Sequence, residues 1–150
     1  MSLLSPTSSG KLYTINYVDF VKNAVPTTPL DDGHPFRTLW QSFLANLTNG
    51  CDDFWDAMMR IYTGQTAFSG DRTKRDQFKV IFLKNPPNVA IADMQSQSLY
   101  GRHNRVHLWG FIHISKCYVD QWVAAKNEIA AMSYEALLKA ILVHESAHWA

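Results

Sequence analysis

The spacing of apolar residues changes twice along the chain, and this change constrains the fold more than any other feature. Before residue 62 and after residue 118, apolar residues recur every three or four positions, which is typical of helices. Between residues 78 and 114 they form short runs rich in β-branched and aromatic residues, which favours strands. Helices, then strands, then helices again predict an α+β fold rather than an alternating parallel one.

The same reading predicts the boundaries of the elements. Residues 1–12 are rich in Ser, Thr, Gly and Pro and are predicted to be a flexible lead-in to a single domain over residues 13–150. We expect helices over 35–47 and 52–62, a loop over 69–76, and strands over 78–83, 89–92 and 105–114. Two further helices are predicted over 118–132 and 134–149, with Ser133 as the N-cap of the second.

Composition excludes several classes of protein. A chain of 150 residues with 47% hydrophobic content is long enough to bury the core of one globular domain. Because 14 Lys and Arg balance 13 Asp and Glu, we expect no nucleic-acid partner. No apolar stretch approaches the length that spans a bilayer, so we expect no membrane partner. The start of the sequence does not resemble a signal peptide, which favours a cytoplasmic protein, or a secreted one if a leader has been removed.

One motif near the end of the sequence carries chemistry. His144, Glu145 and His148 form the pattern H-E-x-x-H within the last predicted helix. Four-residue spacing places both imidazoles on one face of a helix, one turn apart, where each can ligate the same Zn²⁺ ion. Leu137 and Ile141 continue this face toward the start of the helix, so we expect it to point into the interior. The intervening glutamate can take a proton from a water molecule that the metal activates. Since the chain has few glutamates, this residue type at this position favours a zinc hydrolase site.

The motif and its setting resemble the upstream half of the catalytic domain of a zincin metallopeptidase. This resemblance implies a zincin-like fold, in which helices and a small twisted sheet precede the active-site helix. It also implies hydrolysis of polypeptide substrates, with His144 and His148 as zinc ligands and Glu145 as the general base. The order and spacing of residues 112–117 and 142–148 are weakly similar to deuterolysin-like and peptidyl-lysine endopeptidases. In such domains an edge strand borders the cleft, and the strand over 105–114 is our candidate for that edge.

The sequence departs from the family pattern after the motif. Zincins take a third zinc ligand and a C-terminal subdomain from sequence that follows H-E-x-x-H, whereas only two residues follow His148 here. We therefore expect the C-terminal subdomain to be absent from this sequence. A third ligand would come from a longer form of the chain, from another subunit of a homo-oligomer, or from an upstream residue. The upstream candidates are His113, His107, His103 and Asp93, with Cys117 a weaker one.

The predicted strand over 105–114 has two different faces. One face carries His113 and His107 together with two aromatic residues, Trp109 and Phe111, and the other carries aliphatic residues. The aromatic pair either lines a substrate groove or is covered by the N-terminal helices. Two alternatives to an enzyme stay open: a non-catalytic zincin-fold protein that acts through protein contacts, and an α+β interaction domain in which the motif arose by chance.

Overall fold

The computed structural model describes residues 10–49, 52–63, 72–96, 101–102 and 111–149. These residues form six helices and a five-stranded sheet, which confirms a mixed α and β protein. In chain order the elements are β1 (Leu12–Ile15), α1 (Tyr17–Val21), β2 (Thr28–Pro29), α2 (Phe36–Thr48), α3 (Asp52–Thr63), α4 (Arg72–Lys84), β3 (Asn88–Ala92), β4 (Gly101–Arg102), β5 (Phe111–Ser115), α5 (Lys116–Val123) and α6 (Glu128–Trp149). None of the described helices is long and apolar enough to cross a membrane.

The sheet has a parallel centre and antiparallel edges. Its strands lie in the order β2-β1-β3-β5-β4, and β3 runs parallel to both of its neighbours, with Ala90 paired to Tyr13 on one side and to His113 on the other. The short strands β2 and β4 are antiparallel to β1 and β5 and form the two edges. The predicted order of helices first and strands later was therefore wrong, because the first strand precedes every helix.

The two faces of the sheet are covered unequally. Alternate residues of the parallel strands point to a face that packs against α2, α3, α4, α5 and α6, and we call it the broad face; its sheet residues are Leu12, Val89, Ile91, Ile112 and Ile114. The opposite face packs against α1, and we call it the α1 face; its cluster contains Ile15, Phe20, Ala90, Ala92, Met94 and Phe111. The main core of the protein therefore lies between the broad face and the helices.

The chain enters the sheet earlier than predicted. The backbone N–H of Lys11 donates to Oδ1 of the buried Asn88, and the Trp40 indole donates to the carbonyl of Gly10. Leu12 is already a buried residue of β1. The prediction of a flexible lead-in was therefore wrong for residues 10–12, and residues 1–9 lie outside the described part of the chain.

The run predicted as a strand over 78–83 is part of helix α4. Phe78 and Phe82 lie one helical turn apart and are both buried against Trp55 of α3, while Val80 between them is 64% exposed. A strand would have placed all three residues on one face, so tertiary packing selects the helical period. The predicted loop over 69–76 was wrong from residue 72 onward.

Within α4, the side chain of Arg75 forms a partly buried ion pair. The side chain of Arg75 is 10% exposed, and its guanidinium lies 3.0 Å from Oδ1 of Asp56 on α3. A second carboxylate, that of Asp76, lies 3.2 Å from the same guanidinium. This ion pair therefore joins α3 to α4 beside the aromatic contacts.

The two C-terminal helices meet at a different place from the one predicted. Helix α5 ends at Val123, and α6 begins at Glu128, where Asn127 Oδ1 accepts the N–H of Ala130 as an N-cap. Ser133, predicted as the cap, lies inside α6 and donates its hydroxyl hydrogen to the carbonyl of Ile129. The motif therefore sits near the end of a single 22-residue helix.

Candidate metal centre

The motif occupies the last turns of α6 on an uninterrupted helical backbone. Residues 128–149 are helical, so His144 and His148 lie one turn, or about 6 Å of helix rise, apart. Their Cβ atoms therefore project from the same side of α6, as the sequence predicts. The side chain of His148 lies outside the described residues, and that of His144 is described.

The histidine side of α6 lies at the border between core and solvent. Leu138, Ile141 and Leu142 are buried against the broad face, and Glu145 continues this buried side with 7% exposure. His144 is exposed. The expectation that the histidine side points straight into the interior was therefore wrong for His144. A ligand at this border is reachable by both a metal ion and a substrate, which a catalytic site requires.

Burial changes the acidity of Glu145. It raises the pKa of this carboxyl above its ordinary value, and the charge of the adjacent His144 opposes the shift in part. A carboxylate whose pKa moves toward neutrality exchanges protons with water more readily near neutral pH. The shift is therefore in the direction that favours proton transfer near neutral pH.

The neighbour of Glu145 within the motif is a residue that sequence reasoning did not single out. Ser146 is fully buried, and its Oγ has no hydrogen-bond partner among the described residues. A hydroxyl at that position costs free energy if it stays unpaired, so its burial beside the candidate base is unusual. No periodic signal distinguishes this serine from any other small residue in a helix.

The edge of the sheet beside α6 is formed by β4. This strand pairs with β5 on one side and, within the described part of the chain, has no strand on its other side. It also contacts α6. The prediction that the strand over 105–114 forms the edge was wrong for its described part, because β5 lies between β3 and β4. Residues 103–110 lie outside the described part of the chain.

The sheet separates His113 from the motif. Its imidazole is fully buried on the α1 face and contacts Phe20 edge-on, with the ring centroids 5.5 Å apart. Ile112 and Ile114, on either side of it, point to the broad face and pack in the same core as Leu142 of α6. His113 is therefore not placed to ligate a metal ion held by His144.

The other upstream candidates are not brought to the motif by any described contact. Asp93 Oδ1 accepts the N–H of Gln95 in the loop after β3, and Cys117 Sγ accepts a hydrogen bond from Gln121 on α5. His103 and His107 lie outside the described residues. In the described ranges, no group of three or more His, Cys, Asp or Glu residues is close enough to hold a metal ion.

The aromatic pair predicted to line a groove or to be covered is described in part. Phe111 is 4% exposed and contacts Tyr13, with the ring centroids 5.4 Å apart. It belongs to the apolar cluster of the α1 face. Phe111 is therefore covered and does not line a groove. Trp109 lies outside the described part of the chain.

No family model, curated protein or solved structure gives a significant match to the chain. The likeness to zincins therefore depends on the motif and on its place in the sequence.

Proposed function

We propose that this chain is a zincin-like, zinc-dependent metallopeptidase that hydrolyses peptide bonds in polypeptides. The observation that carries the proposal is the position of H-E-x-x-H at the border of the core, on one continuous helix. There His144 is accessible while Glu145 is buried with a raised pKa. Two imidazoles at this spacing are the donor set that zinc prefers in hydrolytic sites.

Each motif residue has a distinct role in this proposal. His144 and His148 would hold the zinc ion through ring nitrogens. A bound zinc ion supplies Lewis acidity, which polarises a carbonyl and lowers the pKa of a water molecule. The carboxylate of Glu145 would take the proton of the attacking water and deliver it to the leaving amine nitrogen.

The position of β4 supports a peptide as the substrate. This strand contacts α6, and none of the described strands pairs with its outer side. An extended peptide can add to such an edge through main-chain hydrogen bonds, which recognise a polypeptide irrespective of its side chains. Such binding would place a peptide bond beside the helix that carries Glu145.

A complete site needs a third protein ligand. Catalytic zinc normally has three protein ligands and a water molecule, and the described residues group no third donor with the motif. We propose that the third ligand comes from His107 or His103, which lie outside the described residues, or from a second subunit of a homo-oligomer.

The lack of a third donor among the described residues favours one alternative, a protein without catalytic activity. If no third ligand is ever supplied, the protein would be a non-catalytic member of the zincin type that acts through contacts with other proteins. The two proposals differ in proteolysis, and they agree on the fold.

The decisive comparison is between Glu145→Gln and wild-type protein in a chelator-sensitive proteolysis assay. We expect wild-type protein with zinc to cleave an unfolded polypeptide, and the variant to lose at least about a hundredfold of that rate. Glu135→Gln is the matched control, because Glu135 lies on the same helix and takes part in a weak i,i+4 contact of 3.7 Å with Lys139. Equal rates for Glu145→Gln and Glu135→Gln would refute the catalytic role. No cleavage by zinc-loaded wild-type protein would favour the non-catalytic alternative.

A further inference from the structure

One side of helix α6 is apolar and exposed over more than half of its length. Ile129 is 80% exposed and Met132 is 61% exposed. Ala136 and Ala140 continue the same side at four-residue intervals, and both are exposed. We call these four residues the outer stripe. Single exposed apolar residues are common on protein surfaces, whereas a contiguous apolar strip marks a surface that contacts a partner.

The opposite side of α6 forms part of the core. Leu138, Ile141 and Leu142 are buried, and the helix packs against α3, α5, β4 and β5. A surface helix of a globular protein normally has polar and charged residues on the side away from the core. Because α6 is apolar on both sides, its residue pattern is typical of a helix that is buried all round. The outer stripe is therefore the side that a further partner would cover.

The charges beside the outer stripe indicate which partner fits. Glu135 and Lys139 lie on the same flank of the stripe, one helical turn apart, with side chains that are 41% and 35% exposed. Consider two copies of α6 that pack antiparallel about a two-fold axis level with Leu137. Glu135 of each copy then lies level with Lys139 of the other copy, on the same flank of the interface. The flank is thus complementary in charge to itself.

The sizes of the stripe residues suit the same arrangement. Ala136 lies beside the axis in both copies, and its small side chain permits the short interaxial distances of helix pairs. Met132 of one copy lies within about 3 Å, along the helix direction, of Ala140 of the other, so a large side chain meets a small one. The stripe is only about 16 Å long, so the interface is smaller than that of a standard stable complex. We therefore expect a weak dimer.

We propose that a second copy of this chain covers the outer stripe, through antiparallel pairing of α6 with α6. Both copies use the same surface, so the assembly closes at two chains. The pairing depends on α6 alone and not on the proposed metal site. It is therefore measured in the presence of a chelator, where a failure of the proposed zinc chemistry does not affect the result.

Sedimentation velocity of the full chain measures the association. We expect the mean mass to rise from one chain toward two as the concentration increases from about 1 to about 200 µM. Ala136→Glu should weaken the dimer at least about tenfold, because it places two carboxylates together beside the axis. Val80→Glu is the matched control, since Val80 is 64% exposed within α4, and this variant should associate as wild-type protein does.

Charge reversal tests whether Glu135 and Lys139 face each other across the interface. Glu135→Lys should weaken the dimer about three- to tenfold, because it places two ammonium groups level with each other. The double variant Glu135→Lys/Lys139→Glu should restore the affinity to within about twofold of wild type. Glu135→Gln, which only removes a partly exposed charge, should change the affinity by less than about threefold.

Disulfide cross-linking tests the direction of the pairing and remains available if Ala136→Glu does not fold. In a Cys51→Ser/Cys117→Ser background, Ala136→Cys should form a disulfide between two copies, because both Cβ atoms lie beside the axis. Ile129→Cys should not, because its two copies lie about 24 Å apart along the helices.

Three results would overturn the proposal. The first is a wild-type chain that stays monomeric at about 200 µM. The second is a Val80→Glu variant that dissociates as readily as Ala136→Glu, and the third is equal cross-linking through positions 129 and 136.

Discussion

The two faces of the sheet differ in how much structure covers them and in what they can do. The broad face packs against five helices, and its core includes the fully buried Trp55, Ile114 and Leu142. The α1 face is covered by a five-residue helix that contributes only Phe20, among the described residues, to a small cluster. Both faces contain or adjoin a histidine, yet His144 is exposed at the border of the core and His113 is fully buried.

This difference suits the two histidines to different tasks. A histidine beside a rigid core can be held in one position while it stays accessible, which suits a metal ligand. A histidine buried within a layer, as His113 is, has no such access. The following predictions test this contrast, from the largest expected effect to the smallest.

The first prediction concerns the core of the broad face. Trp55→Ala should destabilise the protein by about 3–5 kcal/mol, because it removes a fully buried indole that contacts Phe78 and Phe82 and leaves a cavity. Urea unfolding followed by far-UV circular dichroism measures the change. A loss below about 1 kcal/mol would show that the helices on the broad face are packed loosely. The broad face and the α1 face would then not differ in how firmly they are packed.

The second prediction concerns the α1 face. Phe20→Ala should cost only about 2 kcal/mol of global stability, because the loss is limited to the burial of one phenylalanine on one face of the sheet. Hydrogen exchange should become fast in α1 while the amides of β3 and β5 stay protected. A variant in which the strands lose protection together with α1 would mean that the two faces open as one unit.

The third prediction compares two ion pairs. Arg75→Ala should destabilise the protein by about 1–2 kcal/mol, since it leaves the half-buried Asp56 without its partner. Lys116→Ala removes an exposed i,i+4 pair with Asp120 and should cost no more than about 0.5 kcal/mol. Thermal unfolding of both variants at the same ionic strength measures the difference, and equal effects would contradict the burial of Arg75 between α3 and α4.

The fourth prediction concerns pH and the metal-free motif. Because burial raises the pKa of Glu145 in the folded state, its contribution to stability is full below pH 4.5 and is lost as pH rises through the folded-state pKa. Glu145→Gln should therefore be more stable than wild-type protein at pH 7 in the presence of a chelator. The two proteins should converge toward pH 4, as measured by urea midpoints across this range. A constant difference at all pH values would show that the carboxyl is not buried.

Local patterns predicted some elements of this fold and missed others for physical reasons. The apolar periodicity predicted α2 and α3 within two residues, since Phe36, Trp40 and Phe43 mark one buried side of a helix. The same reading predicted a strand over 78–83, which lies in helix α4. A six-residue run that is rich in β-branched and aromatic residues fits either a strand or part of a longer helix. Only the packing of Phe78 and Phe82 on Trp55 decides between the two.

Strand β1 could not be predicted from its own residues. It has four residues and no strong alternation, and its place in the sheet depends on pairing with β3, which lies more than seventy residues later. The same limitation applies to the edge: whether β5 or β4 borders α6 is decided by strand order and not by local sequence.

The sequence predicted how the motif residues lie along their own helix. It did not predict how distant residues lie relative to that helix. The placement of His144, Glu145 and His148 on one helix followed from the spacing of the motif. Whether His113 could join them depended on which face of the sheet it occupies relative to α6, and that required the fold. The accessible position of His144 also required the fold, because the apolar residues before it predicted an inward direction.

The most direct test of the central claim is zinc binding by the motif. Equilibrium dialysis followed by metal analysis should give about one zinc ion per chain for wild-type protein and for Glu145→Gln. The double variant His144→Ala/His148→Ala should bind zinc at least about tenfold more weakly, while His34→Ala, at the start of α2, should bind as wild type does. Wild-type affinity that survives in the double variant, or wild-type protein that binds no zinc, would contradict the account.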